Sequence, residues 1–302
     1  MTLRVRSAAV LALLTAAAFG SPMSAFAQDK EKDKAQAAKA KAAAVENLKK
    51  VKIDKATVVE TDNFIVAGSV SEEKAKALAA VLEKTLPVAR RAAKFDEKDT
   101  AWKGKLTVYF LPDSEEFKPF MRRVLQVPPE GVYVDFRSEP ALLVDPADPP
   151  GKPTDADLYA NTAARVAGEM LRSKGTGTQV VPEWLRDGFG RVTVMKATAS
   201  PKYAAYKTAA RTAVLALKGG KPPMIADVGS GEKSATADAL SNSLAEFLAY
   251  GPKANDFGKF LDGLRPSETV TAPTALNGFM ALGWKDDAAA DAAWKRWVQT
   301  GK

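Results

Sequence analysis

The residues whose types and spacing come nearest to chemistry lie between Leu158 and Met195. On a helical pattern running from Asp155 to Ser173, Arg165, Glu169 and Arg172 fall at i, i+4 and i+7 along one side. Asp187 follows on a second helical pattern, Pro182 to Ala197. A carboxylate in such a place can serve as a general base if something polarises the water it would deprotonate. Flanked by two arginines, it can equally be neutralised on a wet surface. The 302-residue chain holds neither His nor Cys. That removes His-dependent zinc sites, Ser-His-Asp and Cys-His triads, haem ligation, iron–sulfur clusters and disulfides together.

Other motif-like strings carry less. Gly229-Ser-Gly-Glu-Lys-Ser234 lacks the Gly-Lys pair of a P-loop, and no strand feeds it. Ser71-x-x-Lys74 has the spacing of a Ser-Lys nucleophile, but a helix cap accounts for Ser71. Asp145, Asp148, Asp155 and Asp157 match no EF-hand spacing and read as loop and cap residues. Trp294 and Trp297 read as anchors docking the last helix.

The elements that must position these residues follow from periodicity. Thr57 to Glu60 and Phe64 to Ala67 form a β-hairpin around Thr61-Asp62-Asn63. Ser71 caps a helix bent at Pro87, Lys105 to Leu111 alternates as a strand, and Asp113 opens a further helix. Strands over Val132 to Phe136 and Ala141 to Val144 precede a proline-rich loop, Pro146 to Pro153. Downstream patterns are helical: Asp155 to Ser173, Pro182 to Ala197, Tyr203 to Leu217, Ala235 to Tyr250 and Asp286 to Val298. The expected class is α+β, with N-terminal antiparallel strands and helices followed by a helical C-terminal half. Inside the second site helix stand Gly188 and Gly190, each costing about 1 kcal/mol relative to Ala. Close approach of a neighbouring helix is the expected reason, with Trp184 packing alongside.

Three segments are expected. Residues 1–27 read as a signal peptide, with Arg4 and Arg6, an apolar run from Ala8 to Phe19, and Ala25-Phe26-Ala27 as cleavage site. The run is too short to span a bilayer, so export to the periplasm or medium is expected, without a membrane span. Residues 28–56 are rich in Lys and Ala and read as a solvated tether or fraying helix; residues 57–302 form the folded domain. The formal net charge of +8 resides mostly in the first two segments, and the body lacks RNA-binding aromatics, so nucleic acid is not an expected partner.

Val166-Ala-Gly-Glu-Met-Leu-Arg172, followed by Val181-Pro-Glu-Trp-Leu-Arg-Asp-Gly-Phe-Gly190, resembles the peptidase MA-like gluzincins. These thermolysin-related zinc peptidases carry an HExxH helix and a later P-x-W-L-x-E-G-x-A helix. The resemblance covers roughly residues 57–298 and implies a thermolysin-like catalytic-domain architecture. Transferred position by position, it puts Gly168 and Arg172 where the two zinc-binding histidines would stand, Asp187 at the third ligand, and Glu169 at the general base. Zinc needs three side-chain ligands. Here one has no side chain and another is a permanent cation.

The resemblance therefore implies a catalytically inactive peptidase-like domain without metal or cofactor, keeping a cleft for binding or scaffolding. Its partner would be a peptide or an envelope component. An Arg172–Asp187 ion pair between the two helices is expected. The rival readings are a hydrolase working with carboxylates alone through Glu169, and a cell-envelope structural protein.

Overall fold

The computed structural model describes residues 23–96, 99–146, 153–174, 181–216, 228, 234–268 and 270–301, with side chains from 34 onward. Residues 1–22 of the expected signal peptide, most of the proline-rich loop with Asp148, and Gly229 to Lys233 lie outside the described residues, while the expected cleavage site Ala25-Phe26-Ala27 falls in the first helix.

The fold is α+β and mostly helical. Helix α1 (Met23–Lys49) is followed by β1 (Thr57–Glu60), β2 (Phe64–Gly68), α2 (Glu72–Ala92) and β3 (Leu106–Phe110). Next come α3 (Ser114–Phe120), a π turn over Met121–Leu125, β4 (Tyr133–Asp135) and β5 (Leu142–Asp145). The five strands form one sheet in the order β1-β2-β3-β5-β4. Its edge pairs are antiparallel, but β2, β3 and β5 run parallel, which corrects the all-antiparallel expectation. The reason lies in the connections: α2 separates β2 from β3, and a strand–helix–strand crossover returns the chain in the same direction. Ser71 caps α2, its hydroxyl accepting from the Lys74 N–H at 3.3 Å, and the helix runs through Pro87. Glu83 on α2 accepts from the Asn63 N–H at 2.8 Å and its side-chain amide at 2.7 Å, fastening the helix to the hairpin turn.

Both faces of the sheet are covered. Phe64, Val66, Leu106, Val108 and Phe110 point into the main core with α2 and the later helices. Ala67, Tyr109, Leu111 and Val144 point the other way into a second, smaller core with α1, α3 and the π turn. Here the structure departs from the expected tether. Ala37, Ala40, Ala44 and Leu48 are buried at helical spacing along α1, and the Asn47 amide donates to the buried Tyr109 hydroxyl at 3.0 Å. Burial also raises the pKa of that phenol.

The C-terminal half comprises α4 (Asp155–Lys174), α5 (Glu183–Ala197), α6 (Lys202–Ala216), α7 (Ala235–Tyr250), α8 (Phe257–Gly263), α9 (Ala275–Ala281) and α10 (Asp287–Thr300). Trp294 is fully buried on α10 and its indole N–H donates to the Ser243 hydroxyl on α7.

Candidate functional site

Helix α4 buries Ala163, Val166, Ala167, Met170 and Leu171, and α5 buries Leu185, Phe189 and Val192. Their apolar stripes leave the glycines at the crossing points. A Cβ on Gly190 would lie 2.0 Å from the Ala164 carbonyl oxygen, and one on Gly168 would lie 2.7 Å from that of Arg186. Both positions require glycine because α4 and α5 touch backbone to backbone there. Gly188 faces the other way: its Cβ would stand 2.8 Å from the Ser241 carbonyl oxygen and 2.9 Å from the Ala245 methyl on α7. Helix α5 is thus clasped between two neighbours, and Trp184 packs half-buried against the main core.

Glu169 keeps 11% of its side-chain exposure and meets two guanidinium groups. Arg172 Nε lies 2.6 Å from one carboxylate oxygen, and Arg186 from α5 places a terminal nitrogen 3.4 Å from the other. Arg186 also holds Asp187 at 2.9 Å and reaches Glu183 at 3.8 Å. Partial burial lowers the Arg186 pKa, but the hydrogen bond to Asp187 and the charges of Asp187, Glu169 and Glu183 raise it further. The expected Arg172–Asp187 bridge is not what joins the helices. Arg172 stays on its own helix with Glu169, Asp187 pairs with its sequence neighbour, and Arg186–Glu169 crosses from α5 to α4. Arg186 reaches the carboxylate because the helices are too close at Gly168 for any side chain to stand between them.

Asp145, Asp155 and Asp157, the other candidate acids among the described residues, each have their own cation. Buried Asp145 bonds Thr162 and Arg165 on α4, tying the end of β5 to that helix. Asp155 pairs with Lys74 at 3.1 Å. Asp157 pairs with Lys202, which together with Thr154 lowers its pKa to about 2. Among the described residues no group of three His, Cys, Asp or Glu side chains is placed to hold a metal ion. A small apolar crevice lies between β2, α2 and α4, but its lining includes neither Glu169, Arg172 nor Asp187.

Sequence reasoning missed a second ionic centre. Glu246 on α7 is 1% exposed, yet it accepts from the hydroxyls of Tyr203 and Tyr206 and from Lys207 at 3.0 Å, and pairs with Lys196 at 3.1 Å. The two ammonium groups also lie over aromatic rings, Lys196 at 4.9 Å from both Tyr203 and Tyr250, and Lys207 at 4.2 Å from Trp297. Burial pushes the Glu246 carboxyl up, but Tyr203, Lys207 and Lys196 together outweigh it and hold it below the ordinary carboxylate range. Tyr206, desolvated beside that anion, is pushed far up. The available signal was one acid in the apolar run Leu244-Ala-Glu-Phe-Leu-Ala-Tyr250, whose carboxylate must be buried whichever face of the helix turns inward.

No family model, curated protein or solved structure matches this chain.

Proposed function

We propose that this chain is an exported, catalytically inactive metallopeptidase-like domain, in which the helix pair of a zinc peptidase has become a structural or binding element. The observation that carries the reading is at α4 and α5. The residue at the base position, Glu169, is neutralised by Arg172 and Arg186, and the position of the first metal ligand, Gly168, abuts the Arg186 carbonyl. A metal there would compete with two guanidinium groups for its carboxylate. Water near Glu169 would have no Lewis acid to activate it.

The test is elemental analysis of the purified chain together with hydrolysis of peptide and glycan libraries by the wild type and Glu169→Gln. The expected result is less than stoichiometric zinc and no turnover by either protein. Tightly held stoichiometric zinc would overturn the reading. Turnover that vanishes in Glu169→Gln would replace it with the carboxylate-based hydrolase.

A further inference from the structure

We propose that the layer formed by α1, α3 and the π turn is a membrane-facing surface that binds anionic phospholipid headgroups. Between residues 34 and 55 the chain has seven lysines against two acids. Docking of Ala37, Ala40, Ala44 and Leu48 onto the sheet decides which side of α1 faces solvent. Lys39 and Lys49 are exposed there, as are Lys50 and Lys52 in the turn that follows. The same small core contains Phe117, Phe120 and Met121, so Arg122 and Arg123, both exposed, extend the cationic surface from the next element. None of these six makes an ion pair among the described residues. By contrast, Lys41 is tied to Glu60 at 3.1 Å. Val51, Val124 and Leu125 sit half-buried directly beside them in sequence. They add apolar contact at the depth where headgroups meet acyl chains.

The chemistry favours a fluid lipid surface over nucleic acid. Of the aromatic rings of this layer, Tyr109, Phe117 and Phe120 are buried and Tyr133 is half-buried, so among the described residues it offers no fully exposed ring for base stacking. Mobile lysine ends suit headgroups that rearrange beneath them, and each Lys or Arg at an anionic bilayer strengthens binding by about five-fold. The inference rests on the proposed export only in supposing that the chain meets a membrane. It is independent of whether Glu169 is catalytically silent.

The experiment is co-sedimentation of the full chain with vesicles of phosphatidylcholine alone or containing one-third phosphatidylglycerol. Zwitterionic vesicles set the baseline for any insertion by the N-terminal apolar run. The expected result is binding above that baseline only with phosphatidylglycerol, lost when salt rises from about 0.1 M to about 0.5 M. Lys50→Glu with Arg123→Glu should weaken it by at least about 25-fold, about five-fold for each cation lost before any repulsion from the new carboxylates. The control pair Lys84→Glu with Arg91→Glu, on exposed positions of α2 across the sheet, makes the same change in net charge and should weaken it far less. Circular dichroism and the unfolding midpoint confirm that both variants are folded. No binding above baseline, or equal loss in the two variants, overturns the proposal. So does preferential binding of a DNA duplex that the first variant abolishes, which would make nucleic acid the occupant. Zinc content and hydrolysis, which decide the catalytic reading, do not enter this measurement.

Discussion

Glu169 and Glu246 are both carboxylates on helices, each met by two cations, yet they differ in what would happen if the cations were removed. Glu169 sits at a surface crossing, where its partner Arg172 is 53% exposed and water can replace a lost bond. Glu246 is sealed, and its four donors come from α5 and α6. The first carries a recognisable sequence pattern and little energy. The second carries no pattern and holds three helices together. A charge pattern legible in the sequence need not carry the fold, whereas a buried charge reports where the fold has no alternative.

Glu246→Ala sharpens the contrast most. It should destabilise by about 3 kcal/mol, the low end for removing one partner of a buried pair, since Lys196 and Lys207 keep 29% and 33% exposure. Urea unfolding checks this, and a loss below 1 kcal/mol would put the two carboxylates on a level. Gly190→Ala comes next. Relief of the helix penalty is about 1 kcal/mol, but the clash with Ala164 forces α4 and α5 apart, leaving a net loss of about 2 kcal/mol.

The acid limb of stability is a third measure. The Glu246 pKa is depressed in the folded chain, so its contribution is complete above the unfolded value of about 4.3 and is lost as pH falls through the folded value. Midpoints recorded downward from pH 5 should fall more steeply for the wild type than for Glu246→Gln, and parallel curves would remove Glu246 from the account. Glu169→Gln should cost the least stability in urea unfolding, under about 1 kcal/mol. A larger change would mean that Arg186–Glu169 is a keystone after all.

The helices and strands themselves were legible because their apolar spacing is local. Asp155 to Ser173 and Ala235 to Tyr250 match their helices to within a residue or two. Strand direction was read wrongly in the centre of the sheet because it depends on the crossover through α2, not on the strands' own residues. The docking of α1 was hidden by composition: alanines at 37, 40 and 44 make a stripe too weak to stand out among lysines, although Leu48 completes it. Between α4 and α5, the close approach at the glycines was legible, but the pairing of the charges around Glu169 was not. Asp187 and Arg172 are placed suitably by number, and only the backbone contact at Gly168 reveals that Arg186 gets there first.

The covering of the sheet by α1 bears on how this chain can be cut. Trimming it at residue 56, as its composition invites, would uncap Ala67, Tyr109 and Val144 and orphan the tyrosine hydroxyl. Such a fragment should be sticky and short-lived, and any loss of attachment it showed would report the wound as much as the missing lysines. A truncation intended to leave the scaffold whole has to stop before Ala37.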